Sequence, residues 1–259
     1  MDLLGNFGAL CIGLILGLTG GGGSVLTVPI LVYLFNLNPT IATGYSLFIV
    51  GSTSIFGATQ NYFKGLVDVK KGFLFAIPSF VGVYLTRRYI IPIIPQEFDL
   101  LNFVFTKETF LMLLFALVML FAGISMLKKG STEELNEKKV NTYSLLIQTF
   151  LIGILIGLIG AGGGFLIIPS LVLFTHLSMK KAIGTSLFII AMNSLIGFIG
   201  DIQNLTINWS FLIRFTSLSI IGILIGGYLG KFFNNSQLKK GFGYFVILMA
   251  FVIFINELK

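Results

Sequence analysis

The chain has 259 residues, 56% of them hydrophobic and only 10% charged, with a formal net charge of +7 and a mean hydropathy of +0.98. A soluble domain carries about 25% charged residues, so this chain has too little polar surface to cover a water-soluble globule. The single cysteine, Cys11, leaves no intrachain disulfide or cysteine-pair redox site, and one histidine without clustered carboxylates leaves a metal without ligands. No catalytic residue, metal or cofactor is therefore expected.

In chain order, the first apolar segment covers about 5–35 and is broken by Thr19-Gly-Gly-Gly-Gly-Ser24. The N-terminus carries Asp2 rather than a basic region and runs straight into this segment, so it reads as mature structure and not as a signal peptide. Three helices are expected next, over about 41–62, 72–90 and 109–127. Lys128–Asn141 is the most polar stretch. A second broken segment covers about 145–174, interrupted by Gly160-Ala-Gly-Gly-Gly164, and helices over about 182–200, 210–230 and 241–257 follow. Runs such as Phe110–Leu127 and Phe242–Ile255 are long enough, or nearly so, to cross a hydrocarbon core of about 30 Å.

The two halves are copies. At an offset of 140, Gly13–Ile49 aligns with Gly153–Ile189 without a gap, with 17 identities in 37 positions. Gly17, Gly20, Gly22, Gly23 and Pro29 meet Gly157, Gly160, Gly162, Gly163 and Pro169, and Ala42-x-Gly44-x-Ser46 meets Ala182-x-Gly184-x-Ser186. The chain divides into repeat 1 (1–127), a cytoplasmic linker (128–143) and repeat 2 (144–259), forming one membrane domain.

Basic pairs at the ends of apolar runs test the topology. If each broken segment crosses the bilayer, Lys and Arg outside the spans divide eight to eight. If it dips in and returns, Lys64, Lys70, Lys71, Lys128, Lys129, Lys138, Lys139, Lys180, Lys181, Lys231, Lys239 and Lys240 share one face, opposite Arg87, Arg88, Lys107 and Lys259. Cytoplasmic loops hold the excess of positive charge, so the second case is favoured. The expected fold class is an all-α polytopic membrane protein of two inverted repeats, each a glycine-broken re-entrant segment plus three transmembrane helices. Both termini would lie outside the cytoplasmic membrane. The partners implied are the lipid bilayer and a small anionic substrate, with a homo-oligomer left open. Basic residues clustered at span ends do not make a nucleic-acid footprint.

Non-helical backbone at membrane depth is tolerated where it is buried in protein or lines a watery cavity, and inverted repeats commonly bind substrate at such breaks. Candidate substrate-binding residues are therefore Gly20, Gly21, Gly22, Gly23 and Ser24 in one run and Gly160, Gly162, Gly163 and Gly164 in the other. Positive φ at Gly22 and Gly162 would turn N–H groups toward one point. Pro29 and Pro169 would open the helices that follow. Gly13/Gly17, Gly153/Gly157 and Gly226/Gly230 read as helix-packing glycines. The hydroxyls of Thr43, Ser46, Thr185 and Ser186 start matching helices and could donate to an anion, or could bond back to their own turns. Asn193 and Gln60 suit interhelical bonding. Arg214 stands one turn into an apolar span, either as a ligand or snorkelling to the interface. His176 falls beside a turn, as surface residues do. None of the ten Asp and Glu residues falls mid-span.

The repeated Gly-x-x-Gly-(Gly/Ala)-Gly-Gly-x-x-x-x-x-Pro motif, followed by Ala-x-Gly-x-Ser-Leu, resembles the sulfite exporter TauE/SafE family of membrane permeases. Leu66-Val67-Asp68 and Ile207-Asn208-Trp209 resemble its segments after the second helix of each half. The resemblance implies transport of sulfite, thiosulfate, sulfoacetate or a related anion, often outward, at the glycine runs and the Thr/Ser positions above. Ala161 and Ser24 stand where the other repeat has glycine, and Cys11 lies outside the glycine run, so a thiol relay does not carry over. The residues by themselves leave an anion channel and a non-transporting membrane assembly factor open as alternatives. They offer no nucleophile–base pair for an enzyme.

Overall fold

The computed structural model describes residues 3–100, 103–127, 142–160, 163–175, 177–202 and 207–257. Gly162, His176 and most of the linker lie outside the described residues. The elements are α1 (Leu3–Thr19), α2 (Gly22–Pro29) with a π-helical turn (Ile30–Leu34), α3 (Pro39–Phe63), and α4 (Val69–Leu85) with a second π turn (Thr86–Ile90) leading into α5 (Ile91–Ile93). A two-stranded antiparallel ribbon, β1 (Glu97–Leu100) and β2 (Phe103–Thr106), precedes α6 (Lys107–Leu127) and pairs Glu97 with Thr106 and Leu100 with Phe103. Then come α7 (Thr142–Ile159), α8 (Gly164–Thr175), α9 (Met179–Asp201), α10 (Trp209–Leu229) with a short 3-10 turn (Gly230–Phe232), and α11 (Asn235–Glu257). Six helices among the described residues are long and apolar enough to cross a membrane: Pro39–Phe63, Val69–Ile93, Lys107–Leu127, Met179–Asp201, Trp209–Phe232 and Ser236–Glu257. The protein is an all-α polytopic membrane protein apart from the short ribbon.

The glycine-broken segments do not run on through the bundle. Gly5 packs against Phe35, Gly8 against Ile30 and Leu34, and Gly23 against Ile12 and Leu16. These pairings step backwards along the chain, so α1 and α2 form a helical hairpin with its turn at Gly20–Gly21. The expected opening of α2 by Pro29 is wrong. The helix starts at Gly22, and Pro29 sits inside it at the edge of the π turn. Proline removes an N–H from the helical ladder, and a widened turn is a common response to such a gap. Pro169 is likewise interior to α8.

Each hairpin packs on the other half of the molecule. α1 lies along α10, and its repeat mate α7 lies along α4. Small residues make both crossings possible, because helices without water between them associate by close packing. A Cβ on Gly13 would land on the Ser219 carbonyl, one on Gly226 on the Leu14 carbonyl, and one on Gly153 on the Ser79 carbonyl. Gly230 has nothing within 4 Å of its would-be Cβ, so its expected packing role is not found. The mates α3 and α9 pack on each other at the centre, with Gly57 near Leu187, Gly51 near Leu195 and Gly197 near Leu47. That order is antiparallel.

Capping joins the halves at both ends. Asp68 caps α4 by accepting from the Lys71 N–H at 3.0 Å, while its own N–H donates to Thr185 Oγ1 at 2.9 Å. Its mate Asn208 caps α10 through the Phe211 N–H at 3.1 Å, and its N–H donates to Tyr45 Oη at 2.6 Å. Each cap stabilises its helix by about 1 kcal/mol. Each cross-bond also fixes a loop of one half to the central helix of the other.

Candidate functional site

The two hairpin tips meet inside the bundle. A Cβ on Gly21 would lie 2.7 Å from the Gly164 carbonyl oxygen and 2.8 Å from Gly164 Cα, so backbone touches backbone there. Both tips turn on residues in the left-handed region, Gly20 (φ 71°) and Gly160 (φ 71°), with Gly163 (φ 69°) as a third. The expected positive φ at Gly22 is therefore misplaced. Gly22 is the first helical residue of α2, and the reversal happens two residues earlier, where the chain leaves α1. Gly21 precedes α2 without any side-chain cap. The first N–H groups of a helix lack intrahelical partners and carry its positive end. Gly23 has no ligand-facing room, since its Cβ position is taken by Leu16 and the Ile12 carbonyl.

Hydroxyls expected at the site divide into three uses. Ser24 Oγ bonds back to the Gly21 carbonyl at 2.6 Å, and Ser186 Oγ donates to the Gly20 carbonyl at 2.8 Å, so both brace the first tip. Thr185 holds the Asp68 loop, as above. Thr43 lies against the second tip, where a Cβ on Gly160 would strike it. Ser46, fully buried one turn further along α3, has no hydrogen-bond partner among the described residues. Along the α3–α9 seam, Thr53, Ser54 and Ser194 hydroxyls and the Asn193 amide oxygen are also buried without partners among the described residues. Buried orphaned polar atoms are rare in native proteins and need a reason. Asn193 Nδ2 donates to Ser79 Oγ at 2.8 Å and Gln60 Nε2 to the Leu224 carbonyl at 3.3 Å, both between helices as expected.

Arg214 is not brought to the site. Its side chain is exposed on the outer face of α10, beside the exposed Ile213. The buried cation is Arg87, in the π turn after α4, which is 1% exposed. Its Nη1 donates to Asp201 Oδ2 at 3.0 Å and to Thr43 Oγ1 at 3.1 Å. The Gly160 tip closes over it, since a Cβ there would fall on Nη2. Asp201, the last residue of α9, is 5% exposed, and buried Lys107 stands close enough to interact with both charges. Sequence reasoning placed Arg87 and Lys107 among loop charges and found no carboxylate within a span. The available signal was that Arg87 and Asp201 end two helices at the same expected membrane face.

The equivalent place in the other half is open. The repeat mates of Gly160, Thr43, Arg87 and Asp201 are Gly20, Ile183, Gly227 and Asn61. Ile183, Gly227 and Asn61 line a cavity of about 80 Å³ that also reaches Gly17. Ile183 is the residue against which Gly20 packs. A buried water needs roughly 10–15 Å³ of such space, so the cavity has room for several waters or one small oxyanion. Three lysines line it, Lys64, Lys180 and Lys231, and among the described residues no acidic side chain does. Lys64 Nζ donates to the Gly227 carbonyl at 2.9 Å. Partial burial, and next the positive charge of Lys231, hold the Lys64 ammonium below its ordinary pKa. Such a cluster attracts anions and is relieved by them.

The sequence profile of the sulfite exporter TauE/SafE family matches residues 6–253. The chain belongs to that family. This TauE/SafE member is 30% identical over 249 residues to a "Probable membrane transporter protein" of Xylella fastidiosa strain 9a5c, covering 93% of this chain and 90% of the relative. It is 29% identical over 233 residues to "Probable membrane transporter protein YdhB" of Bacillus subtilis, covering 88% of each. A third relative, the "Probable membrane transporter protein" of Haemophilus influenzae, is 26% identical over 271 residues and 96% covered. No solved structure matches the chain. These relatives make the TauE/SafE protein a membrane transporter by family.

Proposed function

We propose that this transporter is a secondary carrier for a small sulfur-containing oxyanion such as sulfite, thiosulfate or sulfoacetate, and that it moves the anion outward across the cytoplasmic membrane. The observation that carries the reading is the three-lysine vestibule ending at the glycine tip. It offers positive charge and room for one small anion, and Ile183 in its wall packs against Gly20 at the first hairpin tip. The orphaned hydroxyls of the α3–α9 seam supply donors that need no counter-charge. The two halves act as inverted repeats that expose the juncture alternately, a role supported by the antiparallel crossing of α3 and α9. On the twelve-to-four charge count the vestibule faces the cytoplasm, with both termini outside and the linker inside. An inside-negative potential then drives export with about 2.3 kcal/mol per charge per 100 mV.

Uptake of labelled sulfite and thiosulfate into proteoliposomes tests this reading. Saturable flux with counterflow is expected, together with competition by sulfoacetate and none by zwitterionic taurine. Replacing Lys64, Lys180 and Lys231 together with glutamine should raise the half-saturating sulfite concentration at least tenfold. Wild-type flux in that triple variant, or equal competition by taurine, would overturn the assignment. Saturable flux without counterflow would make the protein a channel.

A further inference from the structure

The unassigned feature is the free edge of Arg87. A guanidinium has five N–H donors in a planar fork, and Nη1 serves Asp201 and Thr43 while Nη2 and Nε have no partner among the described residues. Leaving charged donors unpaired in a buried place is expensive, and it is tolerated where a ligand supplies the missing acceptors. Nη2 lies against the left-handed tip residue Gly160, and the partnerless Ser46 Oγ sits one turn along α3 from Thr43. Arg87, Lys107 and Asp201 sum to one net positive charge, with Glu108 bonded to Asn38 at the exposed rim. The repeat mate of Arg87 is Gly227, and there the same position is open cavity.

We infer that Arg87 forms a second, outer oxyanion subsite and that the Asp201 carboxylate is its internal competitor. Building on the transport reading above, an oxyanion arriving from the glycine juncture takes the Nε–Nη2 edge in the two-point geometry that guanidinium favours for carboxylate and phosphate oxygens. Its negative charge replaces that of Asp201, which loosens the contact between the α9 terminus and the π turn and opens the path outward. Asp201 thereby keeps the outer side closed until an anion is present to replace it.

Sulfite and thiosulfate binding to purified full-length protein, measured calorimetrically, tests the inference. Asp201→Asn keeps the shape and an acceptor for Arg87 but removes the competing charge, so binding should tighten roughly tenfold, about what one charged hydrogen bond is worth. The double variant R87Q/D201N removes both charges of the ion pair together, so neither partner of that pair is left buried alone. It should fold and yet bind more weakly than wild type. Equal or weaker binding by Asp201→Asn, while the wild type binds, would overturn the competitor role and leave the transport reading standing. Undiminished binding in the double variant would remove Arg87 from the site. If neither wild type nor Asp201→Asn binds sulfite or thiosulfate, the transport reading itself falls and the subsite with it.

Discussion

Replacing Gly20 and Gly65 with alanine separates backbone strain from tip contact. Both glycines are left-handed, at φ 71° and 68°, so alanine at either site is disfavoured by about 1–2 kcal/mol. A Cβ on Gly65 meets nothing within 4 Å, so strain is the whole effect there. At Gly20 the Cβ lands 2.7 Å from Ile183 Cα and 2.8 Å from its carbonyl oxygen, and backbone must move. Overpacking of that kind adds about 1–3 kcal/mol. Moving α9 also stretches the 2.8 Å bond from Ser186 Oγ to the Gly20 carbonyl, worth about 1 kcal/mol more. Gly20→Ala should therefore cost about 2–4 kcal/mol beyond Gly65→Ala, a large share of the roughly 5–15 kcal/mol that holds a protein folded. Thermal unfolding in detergent should place the Gly20 variant several degrees below the Gly65 variant, at roughly 2–4 °C per kcal/mol. Sulfite affinity of the surviving folded protein should drop for Gly20→Ala alone. Equal melting losses would show that the tip is not in backbone contact with α9, and the juncture model would fail.

Other expectations are narrower. Sulfite affinity should decline as pH rises, beginning below the ordinary lysine range of about 10.4, because the Lys64 pKa is lowered and only its cationic form attracts the anion. Lys64→Gln should flatten that decline, and an unchanged pH profile would remove Lys64 from the site. Gly153→Ala, whose Cβ would strike the Ser79 carbonyl, should lower the melting temperature without altering the affinity of folded protein, whereas Gly230→Ala should be close to neutral in both. Reporters fused after Lys259 and inserted at Glu134 should read exported and cytoplasmic respectively, and finding the reverse of either would break the proposed orientation.

Composition and periodicity alone were enough for the membrane class and for the six helices long and apolar enough to span, because lipid forbids unpaired backbone and long apolar helices are its main solution. The 140-residue repeat was equally legible, down to the mates Gly20 and Gly160 that carry both tip reversals. Linear order could not show that α1 packs on α10 and α7 on α4, since glycine spacing marks a close helix face without naming its partner. Nor could it separate Arg87 from Arg88. Adjacent residues on a helix point about 100° apart, so one is 1% exposed against Asp201 while its neighbour is only half-buried. Arg214 looked the better candidate because it lies inside an apolar run, yet depth in sequence says nothing about which side of the helix faces lipid. Tertiary packing chose which charge is buried, because only the meeting of α3, α4, α9 and the Gly160 tip makes a place where a guanidinium has Asp201 and Thr43 on Nη1 and, among the described residues, no partner on its other two nitrogens.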